Sequence, residues 1–230
     1  MAKSISTTAV SVERSFFNRV YAWMTLALVL TAAAAIYVVS SPALTTLIFG
    51  NPMLLFGLVI IELVMVGSLA GAINKMSLST ASAVFVGYSL LNGITLSGIL
   101  LVYTGSSVGL AFLVSALTFG AMTIYGFQSK ADLTELGKLA FMGLIGIIIA
   151  SVVNIFLRSP AIDWIVSYVG VGVFIGLTAY DTQKLKLMVR ELGNDETTLQ
   201  KYALIGALTL YLDFINLFIM ILRILGNRRD

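Results

Sequence analysis

Three acidic residues of this chain stand where acids are rarely found. Glu62 and Asp213 fall in the middle of long apolar runs, and Asp181 closes another, with Lys184 three residues later. A charged Asp at the centre of a bilayer costs at least ~2.5–3.5 kcal/mol. Such a group must face the protein interior and be protonated, paired or bound to a cation. The other acids, Glu13, Asp132, Glu135, Asp163, Glu191, Asp195, Glu196 and Asp230, fall in links or tails, where water solvates them. The chain has no cysteine and no histidine. Disulfides, thiolate catalysis and cysteine zinc sites are thereby excluded, as are the usual metal ligand, general base and near-neutral proton switch. Proton sensing must rest on carboxylates, and a metal site must be built of oxygen, which favours hard cations such as calcium or magnesium.

Polar residues recur at helical spacing around these acids. Thr209, Asp213 and Asn216 fall at i, i+4 and i+7, on one helical face. Tyr88, Asn92 and Thr95 repeat that spacing, Ser115 and Thr118 form a shorter stripe, and Ser151, Asn154 and Arg158 a further one. A single stripe is ordinary interhelical glue. Several in one small bundle, together with buried acids, point to a wet path or an internal cation site. By contrast the helical neighbours of Glu62, namely Leu58, Val59, Met65 and Val66, are all apolar.

The elements that carry these residues are membrane spans. The 230 residues are 59% hydrophobic and 11% charged, against about 25% charged in an ordinary soluble domain. A helix needs about 20 apolar residues to cross the hydrocarbon. Seven stretches approach or meet that length: Val20–Val39, Met53–Ala72, Thr80–Val102, Val108–Phe127, Leu139–Leu157, Ile162–Tyr180 and Tyr202–Ile224. A transmembrane barrel would alternate in polarity, and runs such as Leu144–Ala150 do not. All three prolines, Pro42, Pro52 and Pro160, fall between spans. The first span is too long for the apolar core of a cleaved signal peptide and is read as retained. Gly67 with Gly71, and Gly172 with Gly176, fit the small-xxx-small pattern of close helix packing. The expectation is an all-α polytopic membrane protein: a tail over 1–19, a single seven-helix domain over 20–226, and a short tail over 227–230. Its partner is the lipid bilayer. Without a basic stripe interleaved with aromatics, no nucleic acid is expected.

Lysine and arginine set the orientation. Lys3, Arg14, Arg19, Lys75, Lys130, Lys138, Lys184, Lys186, Arg190 and Lys201 fall on one side, against Arg158 in the opposite links. The N-terminus is therefore expected in the cytoplasm. Seven spans then place Arg223, Arg228 and Arg229 outside, against the rule. A re-entrant last segment would restore them to the inside.

Ala179-Tyr180-Asp181-Thr182-Gln183, the run Leu208–Gly226 with its LYLDFINLF core, and Leu91–Ser97 in span three resemble the transmembrane Bax inhibitor motif family, in its bacterial inner-membrane branch. The resemblance covers essentially all spans. It implies a seven-helix bundle with the last helix central, and a passive, pH-sensitive calcium leak. It further implies that a pair of aspartates on helices six and seven is the sensor, matched here by Asp181 and Asp213. In the closed form that pair is thought to share a proton and bond to a basic residue near the end of helix two, while the family's helix-two acid matches Glu62. The arginine position of that latch reads Ile73 in this chain. Lys75, two residues on, is the candidate substitute, a point charge without arginine's bidentate fork.

Two carboxylates side by side cannot both ionise cheaply, and they titrate as a unit. The expected function is thus a pH-sensitive cation leak rather than an enzyme. Asp181, Asp213 and Glu62 form the sensor and cation site, and Asn92, Thr95, Asn154, Thr209 and Asn216 line a polar path. The resemblance implies calcium as the transported ion, with Asp181 and Asp213 as its ligands, and no resident cofactor is expected. The main alternative is a regulator of stress, cell death or a membrane protease, acting by docking on other membrane proteins; the sequence leaves the oligomeric state open. An intramembrane aspartyl protease is a minor one, because the second aspartate lies in Tyr-Leu-Asp rather than a glycine-rich turn. For level aspartates, span six must run on as helix toward Lys186, since Asp213 lies about 18 Å along its helix from Lys201.

Overall fold

In the computed structural model, residues 2–192 and 195–229 are described, with residues 2–10, and so Lys3, described by backbone alone. Met1 and Asp230, at the ends of the two expected tails, lie outside the described residues. The described residues form eight α-helices: α1 Ala2–Val39, α2 Pro42–Phe49, α3 Pro52–Ala72, α4 Leu78–Val102, α5 Gly105–Gln128, α6 Thr134–Leu157, α7 Pro160–Glu191 and α8 Glu196–Leu225. A 3-10 turn, Ile73–Lys75, follows α3. Seven helices are long and apolar enough to cross a membrane, all but α2. α8 is the most buried of the seven, with 67% of its most apolar window buried, and α3 the least, with 6%.

The helix starts follow from local chemistry. Pro42 and Pro52 sit in the first turns of α2 and α3, where a missing N–H costs nothing. Ser41 and Asn51 cap those turns by accepting from the Leu44 and Leu54 N–H groups at 3.4 and 3.2 Å. Thr104 caps α5 in the same way through Ser107 N–H. Arg158 ends α6 in the left-handed conformation, φ 51°.

Two of the expected boundaries are corrected. Span six does not end at Tyr180: α7 continues through Asp181 to Glu191. Likewise α8 begins at Glu196, six residues before the expected Tyr202. Hydropathy reports where lipid contact ends, whereas a helix continues for as long as its backbone and polar side chains are satisfied.

By packing, the helices fall into two compact units. The first comprises residues 2–102, 189–192 and 195–211 with Arg229. Here α1 lies against α4 at Gly93, where a Cβ would meet Ala34 Cβ at 2.8 Å and the Thr31 backbone. Thr31 donates to the Ser89 carbonyl at 2.9 Å and shares a 2.7 Å hydrogen bond with the Tyr211 hydroxyl. The Tyr211 ring meets Phe85 and Tyr88 edge to face. The ion pairs Arg19–Glu196 at 2.5 Å and Arg190–Glu13 at 2.9 Å tie α1 to the start of α8 and the end of α7.

The second unit comprises Tyr103–Met188 and Leu212–Arg228. Phe214 receives the rings of Phe112 and Phe119 from α5. The close approaches here fall at glycines outside the small-xxx-small motif: Gly126 on Ala179, Gly137 on Tyr180, Gly143 on Val173 and Gly170 on Met220. Gly67, Gly71 and Gly172 have nothing within 4 Å of where a Cβ would stand. Gly176, the fourth motif glycine, does meet a neighbour, with Ala140 Cβ 3.4 Å from where its Cβ would stand, so the motif marks a packing contact of α7 on α6 at one of its four positions.

α8 is one unbroken helix of 30 residues, about 45 Å long at 1.5 Å per residue, and not a re-entrant segment. Beyond it the tail is tied to the α4–α5 link. Thr104 N–H donates to the Asn227 carbonyl at 3.1 Å, and Asn227 N–H to Ser107 Oγ at 2.9 Å. Arg229 N–H donates to the Val102 carbonyl at 2.8 Å. The C-terminal tail and the third interspan link therefore share a side, opposite the N-terminal tail in a seven-span chain. A reporter enzyme that folds only outside the cytoplasm, fused after Asp230, should be active. Activity of a cytoplasm-only reporter there instead would overturn the orientation drawn from the lysine and arginine count.

Candidate functional site

Asp181 and Asp213 come together within the second unit, close enough for each carboxyl to act on the other. Asp213, in α8, is 5% exposed, and its buried Oδ2 has no hydrogen-bond partner. Asp181, in α7, is half-buried. A cation that acts on Asp181 is Lys184, one helical turn beyond it, whose Nζ stands 5.7 Å from the centre of the Tyr180 ring. Two carboxyl groups in contact, one of them sealed from water, can hold a hydrogen bond only if one carries a proton.

The register of α7 beneath this pair is fixed by neighbours on both sides of Asp181. Before it, Gly126 lets α5 touch the Ala179 backbone, and Gly137 lets α6 touch the Tyr180 ring. After it, the Gln183 amide donates to the Ala131 carbonyl at 2.8 Å and accepts from Leu133 N–H at 2.9 Å. Lys186 then donates to the Phe127 carbonyl at 2.6 Å, with its ammonium over the Phe127 ring. A cation on the last carbonyls of α5 also complements that helix's dipole. Gln183 and Lys186 are thus positioning residues, a role that residue type and spacing do not reveal because their partners are backbone groups at the end of α5 and in the α5–α6 link.

Glu62 belongs to a second cluster, in the first unit. Thr95 donates to Glu62 Oε1 at 2.8 Å. One turn earlier Asn92 donates from Nδ2 to the Tyr88 hydroxyl at 2.7 Å, and its buried Oδ1 has no partner. The stripe Tyr88, Asn92, Thr95 does therefore face one interior. The remaining candidates are more dispersed. Asn216 is half-buried and donates back to the Leu212 carbonyl at 2.8 Å, and Thr209 is half-buried in the first unit. Asn154 closes the α6–α7 turn: its Nδ2 donates to Asp163 at 2.7 Å and its Oδ1 accepts from Ser159 N–H at 2.8 Å. Lys75 ends the 3-10 turn, exposed and without an ion pair among the described residues, while Ile73 beside it is buried.

No group of three or more acidic side chains converges among the described residues. A calcium ion takes six to eight oxygens, so one held by Asp181 and Asp213 would draw most of its ligands from water and carbonyls. The arrangement suits transient binding of a passing ion better than a tight resident site.

Comparison with known proteins places this architecture among relatives. The profile of the family described as Inhibitor of apoptosis-promoting Bax1 matches residues 13–230. The chain is 50% identical over 217 residues to Inner membrane protein YbhL of Escherichia coli (strain K12), covering 94% of this chain and 93% of that protein. It is 44% identical over 223 residues to an uncharacterized protein of Rickettsia prowazekii, covering 94% and 91%. With an uncharacterized membrane protein of Streptococcus pyogenes serotype M6 it shares 39% identity over 215 residues, or 92% of each chain.

Proposed function

The chain belongs to the Bax inhibitor-1 family, and we propose that this integral membrane protein is a pH-sensitive passive leak for cations, calcium foremost, in a bacterial inner membrane. The observation that carries the reading is a sealed Asp213, one oxygen of which has no hydrogen-bond partner, set beside the carboxyl of Asp181. While one proton is shared, the pair holds α7 to α8. Once it leaves, two negative charges repel in a poorly solvated place and offer oxygens to a cation. Leak therefore rises as pH rises. Calcium entry into liposomes of the purified protein, followed across pH, tests this. Flux that is absent, or equal at every pH, would end the proposal.

Glu62 supplies a negative charge to the same conduction in this reading. Glu62→Gln keeps an oxygen for the Thr95 hydroxyl and removes only the charge. Flux should fall at every pH, by about tenfold for each ~1.4 kcal/mol of cation stabilisation lost, while the fold persists. Unchanged flux would return Glu62 to the role of interhelical glue.

A further inference from the structure

The arginines that break the charge rule have a use of their own. Beyond the end of α8, a cleft of about 690 Å³ opens between the last turn of that helix, the tail, Tyr103 and the first turns of α7. Its volume is that of an ordinary small-ligand pocket, roughly 300–1,000 Å³. Arg223, Arg228 and Asp163 all line it. These charges do not cancel one another, because neither arginine makes an ion pair among the described residues. Asp163 engages Asn154 through Oδ1 alone. Trp164 lines the same cleft and stacks on Tyr168 with ring centres 5.6 Å apart, both about half exposed. Paired aromatics at a helix end mark the headgroup level of a bilayer.

From this we infer that the cleft binds a phospholipid head group bearing both a phosphate and an ammonium, as phosphoethanolamine does. Two guanidinium groups match a phosphate, which arginine's planar fork binds by paired donors. The free Asp163 oxygen matches the ammonium, which a purely anionic head group lacks. The source is a lipid rather than a free ion, because the lining residues sit at the ends of spans, beside an aromatic belt, where head groups lie.

Detergent-purified protein would be titrated with phosphatidylethanolamine, phosphatidylglycerol and inorganic phosphate, and followed by native mass spectrometry and thermal shift. Phosphatidylethanolamine should bind most tightly. Arg223→Gln with Arg228→Gln should weaken it by about tenfold or more, the loss of charge-assisted bonds. Both arginines are exposed, so the lipid-free melting temperature should not move. Asp163→Asn keeps an oxygen for Asn154 and should invert the preference toward phosphatidylglycerol. Wild-type affinity in the double arginine variant would overturn the inference. So would a wild-type ranking with phosphatidylglycerol first, an unchanged ranking in Asp163→Asn, or inorganic phosphate binding as tightly as the lipid, which would make it a free-anion site.

Discussion

Asp181→Asn and Asp213→Asn should each flatten the pH dependence of cation leak, and the double substitution should add little to either. The two carboxyls are neighbours, and an Asp213 oxygen without a hydrogen-bond partner is sealed from water beside Asp181. One shared proton is thus the only removable part of the contact. An asparagine amide supplies a fixed donor where that proton stood, so the closed contact persists at every pH and leak stays low. Under control of one proton, wild-type leak can change by at most about tenfold per pH unit, or 1.36 kcal/mol; each single variant should come close to zero slope. Residues that act as one unit are non-additive, which sets the expectation for the pair. Lys75→Ala is the companion measurement: a rise in resting leak identifies Lys75 as the latch, and no change identifies it as a marker of the membrane edge. Wild-type pH profiles in both asparagine variants would reduce the aspartates to packing residues and favour the docking-protein alternative.

Gly126→Ala and Gly120→Ala, six residues apart on α5, should shift stability in opposite directions. At Gly126 a Cβ would press on the Ala179 carbonyl oxygen, with the Ala179 carbon at 2.9 Å and Cα at 3.0 Å. These are backbone atoms of a helix that Lys186 ties to Phe127, next to Gly126, and Gln183 to the link beyond it, so neither helix can yield cheaply. Overpacking of this kind costs about 1–3 kcal/mol. Ala179 is two residues from Asp181, and the same displacement should alter the pH profile of leak as well. At Gly120 nothing lies within 4 Å, and alanine should stabilise by roughly 0.5–1 kcal/mol through backbone entropy. Thermal denaturation in detergent measures both. Equal melting temperatures for the two variants would show that α5 does not rest on α7 through Gly126.

The spans were legible because apolar length and proline position are set by local chemistry. α2 was not, since Pro42–Phe49 is too short to leave a hydropathy signal. The far end of α7 was hidden by its own polarity: Gln183 and Lys186 look like the end of a span until their backbone partners are known. The acids stood out by depth, and the stripe Tyr88, Asn92, Thr95 by its spacing, but the bond from Thr95 to Glu62 joins two helices and no spacing within either one reports it. Asn154 belonged to a similar stripe by spacing, yet it closes a turn. Periodicity does not report that Arg158 ends the helix. The contact glycines Gly93, Gly126 and Gly137 were illegible for a related reason. Each meets a neighbour distant in sequence, and no motif records that.

α3 has a consequence for the membrane that surrounds it. Only 6% of its most apolar window is buried, and its polar anchor is the single bond from Thr95 to Glu62. Its 21 residues span about 32 Å, close to the ~30 Å of an average hydrocarbon core. In a thinner bilayer α3 must tilt or thin the lipid around it, at a fraction of a kcal/mol per Å. That strain falls on the Glu62–Thr95 bond before it reaches the better-buried α8. Acyl-chain length should therefore tune the Glu62 cluster while leaving the aspartate pair nearly untouched, so that lipid thickness and proton concentration act on this protein through separate acids.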